Sequence, residues 1–209
     1  MQQPTPVATL GGRGIVGRVP LEDGTHAIVR QYRRGGFVRH FVHDLYWGRP
    51  FRPLTELVCT ETARRQGVPT IEALAAGVTK LGGGFYRGVF ISREAVGYLN
   101  LWEWLQQRPG PPGREAVLTA VAQAIRQMHD AGIFHADLNL TNILVGPDAT
   151  RSEARIIDFD RGYVYQKPLS QSLREKNLQR FHRSLHKLDP QRMFAIPADV
   201  EAFCRGYWR

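Results

Sequence analysis

The sequence predicts an α+β protein in two lobes, strand-rich first and helical afterwards. Three observations carry that expectation. Short β-branched runs gather ahead of residue 93, apolar residues recur at helical spacing beyond residue 114, and a joint at residues 94–98 separates them. The division expected is 1–94 for a sheet with one helix and 95–209 for a smaller helical lobe.

Each element has its own signal. Residues 15–20 and 26–32 are β-branched runs around Glu22-Asp23-Gly24, whose Asp-Gly turn marks a hairpin. Residues 54–66 read as a helix that closes on Arg64 and Arg65, then Gly67 and Pro69. Residues 77–84 read as a strand and turn, and 86–92 as another strand. A short aromatic helix is expected at 99–105, halted by Pro109-Gly110-Pro111-Pro112-Gly113. Over 114–131, Val117, Leu118, Val121, Ile125 and Met128 keep a helical period. Residues 143–145 and 155–157 form two small strands about Gly146-Pro147-Asp148. From Leu173 the tail is helical, with Leu178, Phe181 and Leu185 on one stripe.

Composition narrows the class. A chain of 209 residues, 43% hydrophobic and 22% charged, buries a core and is not disordered. Cys59 and Cys204 form no CxxC or zinc spacing, which excludes a disulfide scaffold and points to a reducing compartment. Residues 1–10 lack a basic start and an apolar run, so no signal peptide is expected. No stretch reaches the roughly 20 apolar residues of a membrane span. The expectation is a soluble intracellular protein. Of the net charge of +9, residues 30–65 carry +5 and 161–192 carry +6, against −2 elsewhere. Two basic segments suit an anionic partner (nucleotide, nucleic acid or acidic membrane), or are ordinary solvated faces.

Gly12-Arg13-Gly14-Ile15-Val16-Gly17-Arg18-Val19 fits G-x-G-x-x-G-x-V. Backbone that cradles a polyphosphate must approach it without side chains in the way. A dinucleotide-binding loop would open a helix, and a Walker loop would end in Gly-Lys-Ser/Thr. Here a second strand follows. Strand–loop–strand is the form of a kinase phosphate flap, with Gly12, Gly14 and Gly17 at the nucleotide; a plain glycine-rich turn is the alternative.

The chemistry concentrates in His135-Ala136-Asp137-Leu138-Asn139-Leu140-Thr141-Asn142 and then Asp158-Phe159-Asp160, which match H-x-D-x-x-x-x-N and D-F-x. Phosphoryl transfer needs a carboxylate that aims the acceptor hydroxyl, and Asp137 fits. Mg²⁺ takes hard oxygen ligands, which Asn142 and Asp158 supply. His135 is assigned a structural role. The V-A-I-K strand of protein kinases appears as Ala27-Ile28-Val29-Arg30, so Arg30 takes the place of the phosphate-binding lysine. Its acidic partner is expected on the 54–66 helix: Glu56 is favoured and Glu61 is the alternative.

These residues together resemble the lipopolysaccharide-core kinase family of Gram-negative bacteria, and within it the branch acting on 3-deoxy-D-manno-octulosonic acid (Kdo). The similar stretches are Gly11-Gly12-Arg13-Gly14, Val29-Arg30-Gln31-Tyr32-Arg33-Arg34-Gly35-Gly36, 52–56, Gly67-Val68-Pro69 and His135 to Leu144. Asp158-Phe159-Asp160-Arg161-Gly162 and Asn177 to Leu185 complete them. The resemblance spans about residues 11–187 and accounts for arginine at position 30. It implies a protein-kinase-like fold and transfer of phosphate from ATP, with Mg²⁺, to the 4-hydroxyl of Kdo on Kdo–lipid A. It also implies a peripheral position on the cytoplasmic face of the inner membrane, with no nucleic-acid partner expected. Only 49 residues follow Asp160 and no A-P-E occurs, which argues against a protein substrate. The alternatives are a heptose or other small-molecule kinase of the same fold, and a non-catalytic kinase-like module that binds lipid or nucleic acid.

Residues 37–49 interleave aromatic and basic side chains, as a membrane contact or a packed connector would. Arg180, Arg183 and Lys187 read as contacts to the same anionic substrate or, in preference, as the wet face of an amphipathic helix, and His182 with His186 as a metal pair or, in preference, as helix surface. Residues 92–96 should offer backbone hydrogen bonds to adenine.

Overall fold

A computed structural model describes residues 5–6, 16–32, 45–107, 111–147 and 152–208. The expected hairpin is β2 (Val16–Pro20) antiparallel to β3 (His26–Gln31), with Val16 opposite Arg30. Asp23 closes its turn by accepting from the Thr25 N–H at 3.0 Å. β5 (Ala73–Gly82) and β6 (Phe85–Arg93) make a second hairpin. β5 begins four residues before the expected strand, because its alanines pair with β6 whatever their own preference. β4 (Tyr46–Trp47) adds to the end of β6 and β1 (Thr5–Pro6) to β2. The sheet order is β1-β2-β3-β6-β4, with β5 on β6.

α1 (Arg52–Arg65) starts with Pro53 in its first turn, where the missing N–H has no partner to lose. It packs against β5 and β6. The chain leaving it is held by β10 (Ala154–Ile156): the Ile156 N–H donates to the Pro69 carbonyl at 2.9 Å, and the Thr70 hydroxyl to the Ile156 carbonyl at 2.6 Å.

The aromatic helix is α2 (Leu101–Gln106), two residues later than expected at its start. Asn100 is its cap: the Asn100 side chain accepts from the Glu103 N–H at 3.0 Å, and the Glu103 carboxylate from the Asn100 N–H at 3.2 Å. Leu99 and Asn100 are therefore extended, as β7, which pairs with β9 (Ile143–Val145). α3 (Pro111–Asp130) also corrects the sequence reading, since Pro111 and Pro112 open the helix rather than ending the preceding segment.

β9 pairs with β10, and β8 (Ile133–His135) with β11 (Gly162–Val164). The tail is two helices, α4 (Gln171–Leu188) and α5 (Pro197–Trp208). Between them the Asp189 carboxylate accepts from the N–H groups of Met193, Phe194 and Ala195 at 2.7, 3.0 and 2.8 Å. A buried Arg114–Asp199 pair at 2.6 Å ties α3 to α5. Gly206 lets these helices meet closely: a Cβ there would lie 2.8 Å from the Thr119 carbonyl oxygen.

The larger core gathers α2, α3 and β8–β10, and takes Cys59 and Ala63 of α1 with Val68; Leu178, Phe181 and Leu185 pack against it as the stripe predicts. A smaller aromatic cluster of Tyr32, Tyr46, Tyr86 and Phe90 lies under the sheet. Among the described residues no helix is long and apolar enough to cross a membrane.

Candidate active site

Strand β3 delivers Arg30 to the inner side of α1. Its Nη2 donates to both oxygens of Glu56 at 2.5 Å, and its Nη1 to Asp158 Oδ1 at 3.1 Å. Glu56 is 1% exposed, and the Tyr32 hydroxyl donates to it as well. Burial pushes the Glu56 carboxyl up to about 7 against the pull of Arg30. Burial also works against the Arg30 charge, but Glu56 and Asp158 overcome it and hold the guanidinium above its ordinary range. Glu61 turns outward and pairs with Arg64 at 2.7 Å and Arg65 at 3.8 Å. A cation between two carboxylates from α1 and from the segment after β10 thus joins three separate parts of the chain.

His135 fixes the loop that follows β8. Its Nε2 faces the Ile157 carbonyl at 2.9 Å, an atom that can only accept, so Nε2 carries the proton. Its Nδ1 then accepts the Asp137 N–H at 3.2 Å. Both nitrogens are engaged in the neutral ring, and burial lowers its pKa. The Asp137 carbonyl accepts from the side-chain amides of Asn139 and Asn142, each at 2.9 Å, while the Asp137 side chain is exposed. Asn139 in turn caps the 3₁₀ turn Leu140–Asn142 by accepting from the N–H groups of Thr141 and Asn142. The Asn142 Nδ2 is turned to that carbonyl, so Oδ1 is the atom of this side chain with ligand chemistry. The Ile157 N–H donates to the Asn142 carbonyl at 3.0 Å, which brings Asn142 alongside the segment that carries Asp158.

Asp158 adopts φ +68°, a left-handed conformation uncommon outside glycine that aspartate and asparagine tolerate better than other residues. Phe159 after it is fully buried with its ring 5.0 Å from that of His135. Asp160 pairs with Arg52 of α1 at 3.3 Å, and burial, then the neighbouring Asp158, raises its pKa. At Gly162 a Cβ would lie 3.0 Å from Cys59 Sγ, so α1 rests directly on this segment.

The chain holds this loop from beneath. The Asn177 side chain, on α4, accepts the His135 N–H at 3.1 Å and donates to the His135 carbonyl at 3.0 Å. Its Oδ1 also faces His129 Nε2 at 3.2 Å, and His129 Nδ1 faces the Tyr207 hydroxyl at 2.6 Å. An amide oxygen only accepts, so His129 donates from Nε2 and accepts the hydrogen bond of the Tyr207 hydroxyl at Nδ1. Burial lowers the His129 pKa to about 4.

Of the residues expected at the site, Arg30, Glu56 and Asp158 are in direct contact, and Asp137 and Asn142 share one loop beside them. Gly17 lies in β2, opposite Val29 and Pro6; Gly12 and Gly14 lie outside the described residues, as do 37–44 of the aromatic and basic stretch. Sequence reasoning missed Tyr32, the Arg52–Asp160 pair and the Asn177–His129–Tyr207 chain, which join residues far apart in sequence. Of the backbone expected at adenine, the N–H of Arg93 donates to the Glu72 carbonyl and that of Glu94 to the His26 carbonyl, so both are already engaged within the protein.

The model of the lipopolysaccharide kinase (Kdo/WaaP) family matches residues 2–207. The chain belongs to this family. It is 33% identical over 179 residues to a 3-deoxy-D-manno-octulosonic acid kinase of Vibrio cholerae, covering 84% of this chain and 72% of that one. The kinase of the same description from Photobacterium profundum is 31% identical, covering 99% and 84%. One from Xanthomonas axonopodis pv. citri is 37% identical, covering 85% and 68%. The solved structure of WaaP in complex with acyl carrier protein superposes with a TM-score of 0.68 at 22% identity, over 99% of this chain and 79% of that one, which establishes the shared fold. The protein is therefore an ATP-dependent kinase of lipopolysaccharide biosynthesis with a protein-kinase-like α+β fold.

Proposed function

We propose that this kinase transfers the γ-phosphoryl group of ATP to the 4-hydroxyl of Kdo on Kdo–lipid A, at the cytoplasmic face of the inner membrane. The observation that carries the phosphotransfer site is the Arg30 guanidinium held between Glu56 and Asp158. The relatives of 31–37% identity, all Kdo kinases by description, support the acceptor.

In this reading residues 1–94 and 95–209 are the two lobes, and ATP lies between them. Gly12, Gly14 and Gly17 cover the phosphates, and Arg30 grips the α/β pair as a fork that Glu56 orients. Asn142 Oδ1 and the Asp158 carboxylate are hard oxygen donors on adjoining segments, a donor set that fits Mg²⁺. That ion, when bound, neutralises charge on the β- and γ-phosphates. Asp137, exposed on a loop whose backbone is pinned at its N–H and its carbonyl, accepts the hydrogen bond of the sugar hydroxyl and aims it at phosphorus. Positioning and charge neutralisation carry the rate.

The test is ³²P transfer from γ-labelled ATP to Kdo–lipid A precursor, heptosylated core and a basic protein in parallel. Label on the Kdo acceptor is expected, with Asp137→Asn reducing turnover by about 10³-fold or more while nucleotide binding persists. Label on heptose or protein alone would overturn the acceptor, and unchanged turnover in the variant would overturn the role of Asp137.

A further inference from the structure

The outer end of the six-stranded sheet carries a surface that the phosphotransfer site does not use. β5 and β6 meet in a turn at Gly82, Gly83 and Gly84, and β4 lies beside it with Trp47 opposite Phe85. Alternation along β4 turns Tyr46 inward to the rings of Tyr32 and Tyr86 and leaves Trp47 outward. Trp47 is 68% exposed, Leu81 47% and Phe85 44%. The indole is held in that position by donating its Nε1–H to the Gly83 carbonyl at 3.2 Å. Behind these apolar groups the Arg49 guanidinium and the Lys80 ammonium stand 5.3 and 5.8 Å from the Phe51 ring. Residues 45–55 and 73–92 contain Arg49, Arg52, Lys80 and Arg87 and no Asp or Glu.

An exposed Trp, Phe and Leu at one hairpin end, with cations just behind and no Asp or Glu within these two segments, matches the layering of a bilayer interface. Indole rings sit at headgroup level, apolar side chains enter beneath it, and Arg and Lys meet the lipid phosphates. We propose that this hairpin end docks on an anionic bilayer, with Trp47, Leu81 and Phe85 in the headgroup region and Arg49 and Lys80 against lipid phosphate. This deepens the peripheral-membrane reading above and rests on it. Docking here orients the active site as well. Tyr46, next to Trp47, lies 5.0 Å from the Arg52 guanidinium, and Arg52 pairs with Asp160 in the segment after Asp158.

The full chain is mixed with vesicles of phosphatidylcholine alone or with phosphatidylglycerol, and bound protein is measured by co-sedimentation. Binding to the anionic vesicles is expected, and Trp47→Gln with Phe85→Gln should weaken it about tenfold, as should Arg49→Gln with Lys80→Gln. The melting temperature and turnover on a detergent-dispersed acceptor, which report folding and the kinase reading separately, should stay as in the wild type. Should the double variants fail to fold, the conservative Trp47→Phe decides: vesicles with brominated lipid should quench wild-type tryptophan fluorescence and lose most of that quenching in the variant. Quenching that survives Trp47→Phe would assign docking to exposed Trp208 and overturn the proposal. Absence of wild-type binding to anionic vesicles would overturn it too, and would leave this surface for a protein partner.

Discussion

At position 30 a lysine would present one nitrogen to two carboxylates, whereas the arginine reaches Glu56 through Nη2 and Asp158 through Nη1. The fork matters more than the charge. Arg30→Lys should therefore reduce turnover about 10- to 100-fold and raise the KM for ATP, the loss expected for one or two charge-assisted hydrogen bonds. Steady-state kinetics reads it, and a lysine variant with wild-type constants would remove the guanidinium geometry from the mechanism. Arg30, Asp137, Asn142 and Asp158 stand out as candidates in the sequence because each lies in a short local string. Tyr32 and Asp160 do not, although both stand within those strings: Tyr32 meets Glu56 24 residues away, and Asp160 meets Arg52 across 108. Nothing local marks either contact.

Among the elements, α5 owes its seat to one missing side chain. Gly206 brings the helix onto α3, so that a Cβ would meet the Thr119 carbonyl at 2.8 Å and the Ala122 methyl at 3.1 Å. Gly206→Val should destabilise the protein by about 1–3 kcal/mol through overpacking, read by denaturant unfolding. An unchanged midpoint would show that α5 can shift at no cost. The same helix supplies Tyr207 to the His129–Asn177 chain beneath the catalytic loop, which sets an acid limit on stability. An unfolded histidine protonates near 6.5 and folded His129 near 4. Above 6.5 both are neutral and the contribution is complete. As pH falls from 6.5 towards 4 the unfolded chain binds a proton that the folded one refuses, and the His129 contribution to stability drops by about 3 kcal/mol, opposed by Glu56, which the folded chain protonates first. His129→Gln should flatten that part of the profile by up to one proton; equal slopes would place the acid limit elsewhere. The β2–β3 hairpin and α1 are readable beforehand because turn and cap residues fix them locally. β8 and β11 are three residues each, and only their pairing across 27 or more residues makes them strands. The break between α4 and α5 is hidden for a related reason, since Asp189 ends α4 by binding N–H groups four to six residues ahead.

Across the whole molecule, α1 belongs to both hydrophobic clusters. Glu56 reaches Arg30 beside the aromatic cluster, while Cys59 and Ala63, one turn and two turns on, are buried with the core of α3. A division at 94/95 in the sequence therefore does not divide the packing, and a ligand bound against Arg30 and Asp158 engages both parts of the chain at once. Ligand binding to the folded state alone raises stability by RT ln(1 + [L]/Kd), about 2.7 kcal/mol at a hundredfold excess over Kd. ATP with Mg²⁺ should accordingly raise a single unfolding transition rather than split it in two. Asp137→Asn should keep the shift, because the proposed site gives that carboxylate to the acceptor and not to the nucleotide. Arg30→Met and Asp158→Asn should lose most of it, the first through the phosphates and the second through the metal. Scanning calorimetry with and without Mg²⁺ measures all three. A shift that survives in Arg30→Met, or that ignores Mg²⁺, would mean that the nucleotide binds away from the guanidinium shared by Glu56 and Asp158, and the assignment of the site would fail with it.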